Sequence, residues 1–137
     1  VRYLGARYAA GSIWPENPAR RAASDKWMDW ASLVAWPAML DAFWILVRTP
    51  EAERDMDRVA RSAAATAEKL ALVDRVLADR PFLGGDSIDI ADIALGPFAW
   101  RLDQLAVPNP DLPHFWAWYE RLKSRPGYRS QVMIPLR

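Results

Sequence analysis

Few side chains in this 137-residue chain are placed to do chemistry. Asp89 and Asp92 lie three apart in Ile88-Asp89-Ile90-Ala91-Asp92-Ile93, a spacing that suits an acid–base or metal-binding pair, or else a reciprocal helix cap. His114 is the single histidine, which is too few for a zinc site and leaves no hydrolytic triad in view. There is no cysteine, so disulfides, thiolate ligands and thiol nucleophiles are excluded. Gly84-Gly85 hints at a phosphate cradle, but the Lys-Ser/Thr of a P-loop does not follow, and turn glycines are the simpler account. Capping explains more of the carboxylate pair than catalysis does. Asp89 can accept from the N–H of the third helical residue, and Asp92 can reach back to the N–H of Asp89. Ile88 and Ile93 then take the flanking positions of a hydrophobic staple. No metal site and no catalytic residue are expected within the chain.

Composition narrows the function further. Lys plus Arg is 18 and Asp plus Glu is 17, a net charge of +1, which argues against a nucleic-acid partner. Hydrophobic residues make up 52% and charged residues 26%, the balance of a folded domain of this size. No uninterrupted apolar run reaches the roughly 18 residues of a membrane-crossing helix, so no membrane partner is expected. Eight tryptophans are the compositional outlier.

The elements that must position these residues are all helical. Val1, Leu4 and Tyr8 fall on one helical face from the first residue on, so residues 1–10 are expected to end a helix begun in a preceding segment. Residues 11–137 then form one all-α domain. Asn17 before Pro18 is a cap followed by proline at the first helical position, and it opens a helix over about 18–47. That helix is apolar on most sides (Trp27, Trp30, Leu33, Val34, Trp36, Met39, Leu40, Phe43, Trp44 and Val47), with a kink expected near Trp36 because Pro37 lacks a donor. Thr49-Pro50-Glu51 repeats the start pattern for a second helix to about residue 79. Its stripe is Met56, Val59, Ala63, Ala67, Leu70 and Leu77, with an Asp57–Arg61 ion pair and a small-residue run over 62–67 that lets a neighbour approach. The two long helices read as an antiparallel pair with enough apolar surface to favour self-association. A central helix follows the 80–86 loop, starting at Asp89, interrupted by Gly96-Pro97 and ending near Ala106. Phe115, Trp118, Tyr119 and Leu122 mark a shorter helix, with a last turn over 128–132.

Several of these segments, taken in order, resemble the helical C-terminal domain of glutathione transferases, most closely bacterial members near the theta and beta classes. They are Asn17-Pro18-Ala19-Arg20-Arg21-Ala22, Trp27-Met28-Asp29-Trp30, Phe82-Leu83-Gly84-Gly85-Asp86, Ile90-Ala91-Asp92-Ile93-Ala94, Trp118-Tyr119-Glu120-Arg121-Leu122 and Arg125-Pro126. The most specific stretch is 85–94, where the family carries a Ser/Thr-x-x-Asp box. Asp89 replaces the hydroxyl residue, which is an equally good cap but places two carboxylates close together. The resemblance implies a bundle of two long antiparallel helices, a central capped helix and shorter C-terminal helices. It also implies a missing thioredoxin-like domain that binds the co-substrate glutathione and supplies the catalytic Ser, Tyr or Cys, so this chain alone is expected to be inactive. The chemistry would be attack of the glutathione sulfur on a hydrophobic electrophile, in a cytoplasmic, detoxifying homodimer without a metal. Asp29, Leu33, Trp36 and Leu40 share one face at spacings of four, three and four, beside the stretch that lines the family's electrophile site. They are expected to contact substrate, with Trp36 as the aromatic platform. A different reading stays open: the same domain type serves elsewhere as a non-catalytic docking module. The ligand-binding half of a repressor is a weaker third, since no recognition-helix segment precedes it.

Overall fold

The computed structural model describes residues 1–136; Arg137, the last residue of the expected 11–137 domain, lies outside the described residues. Among the described residues there is no strand. A short helix α1 (Arg2–Tyr8) comes first, with Val1, Leu4 and Tyr8 exposed and Gly5 turned inward. Asn17 caps α2 (Pro18–Trp30), its side chain accepting from Ala19 N and Arg20 N. The backbone ladder of the helical column is disturbed just before Pro37. It widens into a π-helical turn (Ala31–Ala35) and continues as α3 (Trp36–Arg48). Proline at 37 has no N–H to give the carbonyl four residues back. The wider turn takes up the mismatch, with the Trp36 N–H donating to Ala31 O five residues earlier.

The turn also divides the column's packing, since α2 lies mainly against α5 (Ile90–Gln104) and α3 against α4 (Met56–Leu77). An 18-residue window of the Pro18–Arg48 column has mean hydropathy 1.5, so the column is long and apolar enough to cross a membrane, contrary to the expectation from uninterrupted apolar runs. Its buried line of Trp27, Ala31, Ala35, Met39, Ala42 and Ile45 belongs to the bundle core, but only 28% of that window is buried, and Leu33, Leu40 and Trp44 are exposed.

The start of α4 corrects the sequence reading. Thr49-Pro50-Glu51 leads only into a single 3₁₀ turn (Glu51–Glu53), and Asp55 is the residue that caps α4, accepting from Arg58 N. Proline and early acids favour a 3₁₀ start as readily as an α start. The expected Asp57–Arg61 pair does not form among the described residues; Arg58 instead crosses to Asp41 on α3 through two hydrogen bonds of 2.8 and 2.7 Å. That contact holds the Asp41 carboxyl below the usual range. The buried stripe of α4 is Val59, Ser62, Thr66, Leu70, Val73 and Leu77, so two hydroxyl residues replace the expected alanines and Met56 is exposed. Ser62 Oγ donates to Ala38 O (2.6 Å) and accepts from Ala42 N (3.2 Å), entering the backbone ladder of α3 where the small residues let the helices close. Arg58 meets Asp41 while Ser62 meets Ala38, so the two helices run antiparallel.

The central helix α5 runs through Gly96-Pro97 without interruption and ends at Gln104, short of Ala106. Gly96 is there for close approach. A Cβ would lie 2.9 Å from the Tyr128 ring, whose hydroxyl donates to Gly96 O at 2.6 Å. Tyr128 belongs to α7 (Pro126–Gln131), and α6 (Pro113–Lys123) buries Phe115, Trp118, Tyr119 and Leu122 as the spacing predicts. Because Asp55 and not Thr49 closes the N-terminus of α4, Asp55→Ala should lower unfolding stability by about 1 kcal/mol. Thr49→Ala, whose hydroxyl makes only a long 3.5 Å contact, should cost less than about 0.5 kcal/mol. Urea denaturation of both variants checks the order; equal losses would contradict this assignment of the cap.

Candidate functional site

The carboxylate pair at the start of α5 is engaged in capping the helix. Asp89 Oδ1 accepts from Ala91 N at 2.8 Å, and Asp92 Oδ2 accepts from Asp89 N at 3.0 Å, so both halves of the reciprocal cap are present. Asp89 also accepts from the Ser24 hydroxyl, which ties α2 to the end of α5. Asp92 is fully buried and collects three further donors: Leu83 N at 2.8 Å, Trp118 Nε1 at 2.7 Å and Gly84 N at 3.4 Å. The paired glycines serve this arrangement. Gly85 has φ of +115°, and a Cβ on Gly84 would collide with the Asp89 carboxyl. Ile88 and Ile93 line one small apolar cavity of about 210 Å³.

Burial pushes the Asp92 carboxyl above its usual range, against the pull of its N–H donors; the charge of Asp89 adds least. A raised native pKa means the folded state holds the proton more tightly. The stability this gives is complete below about pH 4, the ordinary aspartate range, and is lost as pH rises through the raised value. Among the described residues no group of three or more His, Asp or Glu side chains is placed to hold a metal ion. His114 is exposed on the first turn of α6.

The four residues expected to contact substrate have different surroundings. Asp29 accepts from Arg2 Nη2 at 2.6 Å, part of the ion-pair cluster that docks α1 on α2. Leu33 and Leu40 are exposed, at 76% and 53% of their full surface. Trp36 is half-buried, edge-on to Phe98 with centroids 5.6 Å apart, and the Arg101 guanidinium lies 5.2 Å from its ring centroid. The four-three-four spacing assumes 3.6 residues per turn throughout. The π turn between Asp29 and Trp36 adds about one residue and rotates the face beyond it by roughly 100°.

A cleft of about 690 Å³ lies where α3, α5 and the segment after α7 meet. Its lining includes Phe43 and Arg48 from α3, Pro97, Trp100 and Arg101 from α5, and Ile134. Trp100 Nε1 donates to Ile134 O at 2.9 Å and so pins the C-terminal segment as one wall. Arg101 donates to Pro97 O at 3.2 Å, so the guanidinium that covers Trp36 also forms part of the cleft. None of the four expected residues is part of the lining, but Trp36 stands directly behind it. Sequence reasoning passed over Phe43, Trp100 and Arg101. Helical periodicity marks them as apolar or amphipathic, and only the return of the chain at Ile134 turns them into a site. What the cleft offers is a mostly apolar wall, with two aromatic rings among aliphatic side chains, and two cations.

Comparison with known proteins agrees with this architecture. Residues 56–121 match the family model described as the C-terminal domain of glutathione S-transferase. The chain is 38% identical over 136 residues to glutathione S-transferase GstB of Escherichia coli K12, covering 99% of this chain and 65% of that protein. The theta class glutathione S-transferase of Xanthomonas axonopodis pv. citri, solved with glutathione bound, superposes with a TM-score of 0.94 at 43% identity, over 99% of this chain and 65% of that one. Its apo form gives the same TM-score and identity, with 72% of that chain covered. The chain thus spans about two thirds of the length of these relatives.

Removing the Asp92 carboxylate strands three close buried donors, each costing about 1–3 kcal/mol when unsatisfied. Asp92→Ala should therefore lower the unfolding free energy by at least about 3 kcal/mol, against about 1 kcal/mol for loss of the cap alone in Asp89→Ala. Denaturant titration at neutral pH distinguishes the two. A loss at Asp92 no larger than at Asp89 would reduce it to an ordinary cap.

Proposed function

The chain belongs to the glutathione S-transferase family, as its helical C-terminal domain, and from that premise we propose that it forms the electrophile-binding half of a glutathione-conjugating enzyme. The observation that carries the proposal is the apolar cleft between α3, α5 and the C-terminal segment, whose size suits a small organic molecule. Glutathione was bound in the Xanthomonas relative, and here it is taken as the co-substrate, held by the part of the relatives that this chain does not span. Bound as a thiolate, it would supply the nucleophilic sulfur. A C–S bond forms at the electrophilic carbon of the second substrate, and a leaving group such as halide departs with its electron pair.

The chain's own residues do the remaining work. Phe43 and Trp100 take up the apolar body of the electrophile and displace water from it, while the pinned segment at Ile134 closes the wall. Trp36 supports the cleft from behind through Arg101, a modified form of the platform role expected from sequence. Leu33, Leu40, Trp44 and Met56 remain exposed, and a two-fold homodimer would cover such a face. On this reading the chain alone does not turn over glutathione.

Truncating the apolar wall tests the reading in the full-length protein. Phe43→Ala should raise KM for a neutral aryl halide about fivefold or more while leaving KM for glutathione within about twofold, the pattern of lost electrophile binding. An unchanged KM for the halide, or a change confined to glutathione, would remove the cleft from the reaction.

A further inference from the structure

The geometry points to an electrophile that carries an acid group, a carboxylate or sulfonate on an apolar body, recognised by Arg48 and Arg101. This inference rests on the cleft being the electrophile site. The two guanidinium groups reach it from different helices, Arg48 from the last turn of α3 and Arg101 from the middle of α5. Neither has an acidic partner among the described residues, where the ion pairs use Arg2, Arg58, Lys69 and Lys123.

The acids on the elements around the cleft are engaged elsewhere. Asp41, the one acid of α3, is held by Arg58. On α5, Asp92 is buried in its cap and Asp103 accepts from the Tyr119 hydroxyl at 2.9 Å. Neither α7 nor residues 132–136 contains an acid. A cleft with two cations and no anion binds a neutral apolar molecule without using its charge, and it favours one whose tail is anionic.

Arg101 is also prepared for the task. One N–H is spent on Pro97 O and the plane lies over Trp36, which orders the guanidinium and leaves other donors of its fork free. A fork of this kind suits a carboxylate, and charge-assisted bonds of this type are among the stronger ones available. Arg48 is exposed at the cleft rim, where its attraction is screened by salt and contributes less.

A chlorodinitrobenzoate and its methyl ester share ring and leaving group and differ in the charge of one substituent, and both quench tryptophan. Fluorescence titration of the full-length protein should show the benzoate binding about tenfold tighter than the ester at low salt, with the gap narrowing as salt is added. Arg48→Gln and Arg101→Gln should each shrink the preference for the benzoate over the ester several-fold, and together abolish it. Arg48 makes no side-chain hydrogen bond or ion pair among the described residues, so its variant reads the charge even if Arg101→Gln loosens Trp36. Equal binding of the two compounds, or a preference that survives both substitutions, overturns the inference and leaves the cleft reading intact. An ester that fails to bind, or whose binding ignores Phe43→Ala, overturns the cleft reading and this inference with it.

Discussion

One buried carboxylate, that of Asp92, joins the loop before α5, the first turn of α5 and α6. Its two oxygens receive the N–H of Leu83 from the loop before α5, that of Asp89 at the start of the helix, and the indole N–H of Trp118 from α6. Through Asp89 and Ser24 the same cluster reaches α2. Each donor is shut away from water, so none has an alternative partner, and a buried polar group left alone costs more than a bond made contributes. Desolvating the carboxylate is the opposing term, seen in its raised pKa. The arrangement is favourable because every donor and acceptor in it is satisfied; among the described residues no buried side-chain nitrogen or oxygen lacks a partner.

With α5 fixed at its first turn, the rest of the helix becomes a spine between two environments. Its buried face (Leu95, Phe98, Ala99 and Leu102) fills the core, while Pro97, Trp100 and Arg101 face the cleft. The α2–α3 column crosses this spine and then departs from it at the π turn, because α2 lies mainly against α5 and α3 mainly against α4. That departure leaves room at the α3–α5 junction for the C-terminal segment to close a cavity. Structure and function meet here: the capping cluster and the π turn set the position of the cleft walls without touching what would bind there.

The parts of this design legible in the sequence are those with short-range signatures. Asn17-Pro18 marks the start of α2, and Asp89 with Asp92 marks that of α5, because a cap and the donors it satisfies lie within three residues of each other. The misreading at Thr49 has the same origin. Proline and acids describe a first turn well but do not say whether an α-helix follows, and Asp55 carries that information six residues later. Ser62 and Thr66 were hidden because small hydroxyl residues look like spacers until a neighbouring backbone is close enough to bond. The π turn lies within the projected face of Asp29, Leu33, Trp36 and Leu40, and a wheel drawn with one period cannot show an inserted residue. The cleft depends on Trp100 meeting Ile134, a contact 34 residues apart that no local pattern announces.

Native-state hydrogen exchange addresses the central role of Asp92 directly. If the cluster is the junction of the fold, the Leu83 and Asp89 amides and the Trp118 indole N–H should exchange only through global opening. Their opening free energies would then equal that of core helix amides such as Leu95, although Leu83 belongs to a loop. Exchange at Leu83 and Trp118 at rates typical of exposed loops, with the α5 core still protected, would show that the segments around Asp92 open independently and that the junction lies elsewhere.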